Sequence, residues 1–386
     1  DNMKIAYCIF DCSSPGGTER ALSIQANYFA EKGDEVCIVT TEKPSYQQNS
    51  YNFSKRIKFY NLHINYREVD NSLSPIKIIN RLKKEKVHKK KLSELLCSLK
   101  PDITIGMFGH ETSFLYRISD GSKKILEYHF SKHHRKIEFA SSVFYKKWFA
   151  LFREWRKCNF IKQYDAFVIL TNKDAKNWEK LKNLYVIPNA LPFISEITST
   201  CDNKKVISVG RLSPEKGYDL LIEAWNLVAL RHPDWILEIY GNGDEYDKLK
   251  SMITKYSLSK NISIHSSIAN ITEKYIESSI YVMTSHYEGF GIVLIEAMIC
   301  GLPCISFDCP YGPSEILAEG EDGFLIPAND IAILANKICF LIEHEEVRKE
   351  MGYKAHKNAM RYTPTLIMKQ WDALINQLIN QCNLKK

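Results

Sequence analysis

Residues 281–303 read YVMTSHYEGFGIVLIEAMICGLP. The apolar run Tyr281 to Thr284 predicts a short strand, Glu288-Gly289-Phe290-Gly291 a loop, and the stretch from Ile292 a helix stopped by Gly301-Leu302-Pro303. Strand, glycine loop and helix in this order make an anion cradle: free amides of the first helical turn point forward, and glycine lets a ligand approach the backbone. Two carboxylates, Glu288 and Glu296, bracket the loop with seven residues between them. Carboxylates repel phosphate. If phosphates occupy the amides, these side chains are best explained as acceptors for neutral hydroxyls beside them, which describes the sugar and ribose of a nucleotide sugar.

Outward from this stretch, strands alternate with helices through both halves of the chain. Val206 to Gly210 reads as a strand leading through Arg211-Leu212-Ser213-Pro214-Glu215-Lys216-Gly217 into a helix over Asp219 to Leu230, so two cations stand where a strand ends and a helix begins. Trp235 to Tyr240, Asn261 to His265, Cys304 to Phe307 and Gly323 to Pro327 are further strands, Ile331 to Ile342 an amphipathic helix, and Thr365 to Gln381 a last helix after Thr363-Pro364. The first half opens with a strand (Lys4 to Phe10), a tight loop (Ser13 to Gly17), a helix (Thr18 to Lys32) ended by Gly33, and a strand (Val36 to Thr40). Asp102 to Met107, Ile125 to Tyr128 and Ala166 to Leu170 read as strands, and Thr171-Asn172-Lys173-Asp174 as a helix cap. This alternation argues for two Rossmann-like domains with parallel sheets.

At 386 residues two domains of ordinary size are the default. Eleven cysteines, an odd number without a CxxC pair, fit a reducing compartment and buried core roles. No Asp-x-Asp occurs, and no metal site is expected. The apolar run after Met3-Lys4 is too short for a signal peptide, and Glu296, Gly301 and Pro303 exclude the longest apolar stretch as a membrane span. The expected location is cytoplasmic, at most on the inner face of the membrane.

Charge is uneven: residues 1–188 carry 33 Lys and Arg against 20 Asp and Glu, and residues 189–386 carry 19 against 25. An anionic partner for the first half follows. Between Ser74 and Lys100, PIKIINRLKKEKVHKKKLSELL (75–96) contains eight Lys and Arg among Ile76, Ile79, Leu82, Leu92 and Leu95, with little acid. Lys132-His133-His134-Arg135-Lys136 is a second basic segment. In Phe144 to Lys157, Phe144, Trp148, Phe152 and Trp155 share a helical side while Lys146, Lys147, Arg153 and Lys157 fall away from it, a pattern suited to an anionic membrane interface. The same aromatics could instead pack on the N-terminal domain.

Glu288 and Glu296 with GFG inside and EAM-x-x-G-x-P following resemble the E-x7-E signature of retaining, GT-B-fold glycosyltransferases of family 4. Gly16-Gly17-Thr18-Glu19-Arg20 is similar to the family's GG-x-E-R/K loop, Arg211 to Gly217 to its GR-x-x-x-x-KG loop, and Tyr240-Gly241-Asn242-Gly243 to its YG-x-G loop. Tyr185 to Asn189 resembles VIPNG but departs at Ala190, where glycine is usual. Pro310 to Ile316 is similar to the CP-x-GP-x-EI of relatives that use UDP-sugars, and Gly323 to Pro327 to a closing GFLVP strand. The resemblance covers nearly the whole chain and is sparse between Tyr46 and Gly121.

It implies two Rossmann-like domains facing across a cleft, residues 3–188 on the acceptor side and 189–363 on the nucleotide-sugar side, with 364–386 packing back on the first. It further implies a metal-independent retaining transferase with no cofactor beyond a nucleotide-sugar donor, UDP-linked, and a membrane-associated glycan or lipid-linked saccharide acceptor. Glu288 would hold hydroxyls of the donor sugar and Glu296 the ribose. Gly16, Gly17, Arg211, Lys216 and the amides of Gly289, Phe290, Gly291, Ile292 and Val293 would hold the phosphates, with Gly241 nearby and the loop at Ile268 against the base. His129, in Glu127-Tyr128-His129-Phe130-Ser131, would lie near the reacting sugar, with His110 as rival; a histidine after a buried strand is otherwise a structural hydrogen bonder. Galactose or N-acetylgalactosamine is the sugar suggested by CPYGPSEI. A GT-B epimerase and a non-catalytic membrane-surface protein remain alternatives.

Overall fold

The computed structural model describes residues 2–13, 16–44, 51–70, 75–130, 159–268 and 270–383. It divides into two compact units, Asp1–Ala190 with Pro364–Lys386, and Leu191–Thr363. The basic segment at 132–136 and the aromatic stripe of Phe144, Trp148, Phe152 and Trp155 lie outside the described residues.

The first unit is built on seven strands: β1 (Lys4–Ile9), β2 (Glu35–Thr40), β3 (Lys58–Asn61), β4 (Ile103–Gly106), β5 (Lys123–Tyr128), β6 (Ala166–Ile169) and β7 (Leu184–Val186). Their order is β3-β2-β1-β4-β5-β6-β7, and every pairing is parallel, Ile5 facing Val36 on one side and Ile103 on the other. Covered on both faces, the inner strands bury continuous runs rather than alternate residues: all of β1 except Lys4 is buried. The helix Gly17–Lys32 packs Leu22, Ala26 and Phe29 inward and ends at Gly33, whose φ of 105° lets its amide reach the Ala30 and Phe29 carbonyls.

The second unit has six strands: β8 (Lys205–Val209), β9 (Ile236–Tyr240), β10 (Ile262–His265), β11 (Ile280–Met283), β12 (Cys304–Phe307) and β13 (Gly323–Ile326). The order is β10-β9-β8-β11-β12-β13, again parallel throughout. Its core includes the helix Tyr218–Arg231, which buries Leu221, Ile222, Trp225 and Val228. Each aliphatic member of that stripe contributes roughly 1.5–3 kcal/mol.

Both sheets therefore reverse direction at one place. The chain runs outward from β1 to β3 and returns on the opposite side of β1 as β4; in the second unit it runs from β8 to β10 and returns as β11. In doubly wound sheets, the C-terminal ends of the two strands that flank such a reversal, here β1 and β4 or β8 and β11, are where ligands bind.

The helix Pro364–Asn383 belongs to the first unit. It buries Ile367, Met368, Trp371, Ile375 and Leu378 at helical spacing, and Asp372 accepts from Tyr28 Oη at 2.8 Å and Lys32 Nζ at 2.5 Å. The basic run forms the helix Pro75–Leu99, which buries His88, Leu92 and Leu96 and leaves Ile76, Ile79 and Leu82 exposed. Among the described residues no helix is long and apolar enough to cross a membrane. The nine cysteines whose side chains are described are free thiols, all buried except Cys97.

Candidate active site

Four loops leave the C-terminal ends of β8, β9, β11 and β12, and glycines bring them into contact. A side chain on Gly241 would meet the Gly210 carbonyl oxygen at 1.9 Å, so the β8 and β9 loops touch backbone to backbone. Leu212 N donates to Asn242 O at 2.9 Å and Glu245 N to Leu212 O at 3.1 Å, fastening them. Gly217 has φ 61°, and a side chain there would meet Thr284 O at 2.3 Å. At that junction Thr284 Oγ1 donates to Lys216 O at 3.1 Å and His286 N to Glu215 O at 2.8 Å. Gly312, after β12, comes as close to the Phe290 carbonyl.

This lacing brings the predicted residues of the two switch-point loops together. Lys216 Nζ lies 2.6 Å from Glu288 Oε1, with the side chains 23% and 11% exposed. Ser285 Oγ donates to the same oxygen at 2.7 Å. Behind the pair, burial and the Glu288 charge push the Cys309 thiol well up, and the Lys216 ammonium opposes them. Arg211 is exposed at the start of its loop. Gly289 follows Glu288, and Gly291, at φ 93°, opens the helix Ile292–Ile299 with Phe290 buried and Ile292 and Val293 half-buried. Glu296 is buried one turn on, and Tyr275 Oη donates to its Oε2 at 3.1 Å. Ile268 is exposed after β10, near the clasp of Asn242 Nδ2 on Ser267 Oγ at 2.6 Å.

Ser285, Thr284 and Tyr275 were not anticipated from the sequence. Ser285 had a signal in its place three residues before Glu288; Tyr275, twenty-one residues from Glu296, had none.

In the first unit, Gly16 caps the helix that Gly17 begins, and Tyr51 Oη donates to the Gly16 carbonyl at 3.1 Å. His129 follows β5 and is buried: Nε2 stands 3.0 Å from Glu127 Oε1, to which Gln25 Nε2 donates at 2.8 Å. That alignment falls short of a hydrogen bond, so both imidazole nitrogens are buried without one. His110 is half-buried, its ring stacked on Tyr66 at 3.7 Å. Thr171 caps its helix as expected, its side chain accepting from Asp174 N. Among the described residues no cluster of three or more His, Cys, Asp or Glu could hold a metal ion.

A model of the family "Glycosyl transferases group 1" matches residues 193–358, most of the second unit. An uncharacterized glycosyltransferase of Haemophilus influenzae is 29% identical over 96% of this chain and 99% of its own length. The amylovoran biosynthesis glycosyltransferase AmsD of Erwinia amylovora is 35% identical over 55% of this chain, which spans 62% of AmsD. An exopolysaccharide phosphotransferase of Streptomyces coelicolor is 33% identical over 56% of the chain, and the chain spans 24% of it. Among solved structures, TarM of S. aureus, crystallised with UDP and α-GlcNAc-glycerol, superimposes with a TM-score of 0.77 over 97% of this chain and 100% of that one, at 18% identity. At that identity the likeness carries the fold alone, and the fold is of the GT-B class, with two parallel-sheet α/β units.

Proposed function

We propose that this chain is a retaining glycosyltransferase which moves a sugar from a UDP-linked donor to a hydroxyl of a membrane-associated glycan or lipid-linked saccharide. The observation that carries the reading is the Lys216–Glu288 pair at the switch point of the second sheet, beside a glycine-led helix start. An ammonium and open amides suit a diphosphate; a carboxylate with one oxygen already occupied keeps the other for a sugar hydroxyl. The match of the second unit to the group 1 model, and the polysaccharide role in the name of AmsD, support it.

In this reading Arg211, Lys216 and the amides from Gly289 to Val293 neutralise the charge that grows on the departing diphosphate, the work a divalent ion does elsewhere. The bond from the anomeric carbon to the diphosphate breaks, the acceptor oxygen bonds to that carbon on the same face, and its proton passes to the leaving phosphate oxygen. No protein nucleophile is required. Glu296, held by Tyr275, takes the ribose.

Membrane attachment is part of the proposal. On the helix Pro75–Leu99, Ile76 (70%), Ile79 (53%), Leu82 (56%) and Val87 (48%) are exposed among Lys83, Lys86, Lys89 and Lys90. Anionic lipid would cover the apolar side chains and attract the lysines at roughly 1 kcal/mol each.

The test is nucleotide release across a panel of UDP-sugars, with a membrane extract as acceptor and with or without EDTA. Acceptor-dependent UDP release that EDTA leaves intact is expected. Release from no donor, or donor conversion without acceptor, contradicts transfer; strong inhibition by EDTA contradicts metal independence.

A further inference from the structure

The helix Ile292–Ile299 has eight residues, and helices shorter than about 12–15 residues are marginal on their own in water, so its placement is set by what packs on it. One element holds it at both ends. The helix Glu345–Ala359, closed by the tight turn Met360–Tyr362, packs against it. At the far end the Ile299 carbonyl accepts from His356 Nδ1 at 2.7 Å, and a side chain on Gly352 would meet Gly301 O at 2.3 Å. At the near end the buried Tyr362 ring meets the buried Phe290 ring edge-on, their centroids 5.4 Å apart and their planes at 79°.

The same turn also fastens the loop after β12. A side chain on Gly312 would meet Phe290 O at 2.4 Å and Glu288 Cβ at 3.2 Å, so this loop lies directly on the one that carries Glu288. Gly312 leads the short helix Pro313–Ile316, whose Glu315 and Ile316 carbonyls accept from Arg361 Nη2 at 3.0 and 2.9 Å. Asn358 Nδ2 donates to the Ile316 carbonyl as well, at 3.0 Å. The turn itself is fixed, since Leu191 N donates to Tyr362 O at 2.7 Å and the Arg361 guanidinium carbon lies 4.5 Å from the Tyr362 ring centroid. Phe290 is thus held by its carbonyl on Gly312 and by its ring on Tyr362.

We propose that Arg361 and Tyr362, both beyond the residues matched to the family model, are positioning residues for the sugar donor: they act by fixing where the Phe290 loop places Glu288 and the amides after Gly291. Removing the Tyr362 ring opens space into which Phe290 can turn, and removing Arg361 frees the loop that backs it. A misplacement of about 1 Å at such a site can cost on the order of a hundredfold in rate. The role in donor positioning rests on the transferase reading; the clamp on the helix does not.

Hydrogen exchange of the ligand-free chain and turnover of the preferred UDP-sugar are measured for Tyr362→Ala, Tyr362→Phe and Arg361→Ala. In both alanine variants the amides of Leu294 to Ile299 should exchange roughly tenfold faster, with the strands of the second sheet unchanged. Turnover per folded molecule should fall roughly tenfold in each. Tyr362→Phe, which keeps the ring, should restore both readouts. The loss in Tyr362→Ala should not multiply with that of Glu288→Gln, because both act through one loop. Arg361 is exposed, so its variant keeps the test open if Tyr362→Ala does not fold. The proposal is overturned if either readout stays at the wild-type level in the folded alanine variants, or if turnover falls only with the folded fraction. Faster exchange in the variants of a wild type that turns over no donor would refute the transferase reading, and donor positioning with it, while leaving the clamp.

Discussion

Lys216 and Glu288, seventy-two positions apart in the chain, meet at 2.6 Å because the loops after β8 and β11 leave neighbouring strands. Replacing Glu288 by Gln keeps the Ser285 bond possible and removes the charge that holds the ammonium and, in the proposed function, would hold a sugar hydroxyl. UDP release from the preferred donor should fall by about a hundredfold or more in Glu288→Gln, with UDP affinity changed far less. Turnover within a few fold of wild type would remove Glu288 from the site.

Gly217 carries the junction of the same loops. An alanine there would strain the left-handed backbone and press its methyl against Thr284 O, 2.3 Å away. Gly217→Ala should cost roughly 1–3 kcal/mol in chemical denaturation and impair donor binding, since the loop that positions Lys216 must shift. Unchanged stability and affinity would show that the loops are not locked together.

Burial, aided by the neighbouring His110, lowers the His88 pKa from 6.5 to about 3. The folded protein resists a proton that the unfolded chain accepts below 6.5, so His88 costs stability progressively as pH falls from there toward 3, by up to about 1.4 kcal/mol per pH unit. Denaturation midpoints at pH 7 and pH 4.5 should differ less in His88→Asn than in the wild type. Equal differences would mean that His88 is not the group responsible.

The strands and the second-unit loops were legible because their signals are local: apolar runs give β8 and β11, and Arg211, Lys216, Gly291 and Glu288 sit at strand exits and helix starts. β3 was not legible. Its four residues, KFYN, are exposed or half-buried at the sheet edge, so no apolar run marks them. The helix Glu345–Ala359 was also missed; it buries Arg348, Met351, Ala355 and Ala359 amid charge, with Arg348 satisfied by the carbonyls of Cys201, Leu341 and Ile342.

Lys89, Lys90 and Lys91 are adjacent in the basic run but differ in the fold. Lys91 Nζ donates to Leu62 O at 2.8 Å, which gives it a structural role. A variant neutralising Lys86, Lys89 and Lys90, and a second carrying Ile79→Ser and Leu82→Ser, should each bind anionic vesicles more weakly while remaining folded. Wild-type binding in both would mean that this helix face is merely solvated.

The central claim, that the second unit grips a nucleotide sugar through Lys216, Glu288 and the start of the helix Ile292–Ile299, is tested most directly by a crystal soaked with the preferred UDP-sugar. The diphosphate should lie within hydrogen-bonding distance of Lys216 Nζ and the Ile292 or Val293 amide, and a sugar hydroxyl on Glu288. Density for the diphosphate away from both switch-point loops of the second sheet would contradict the account.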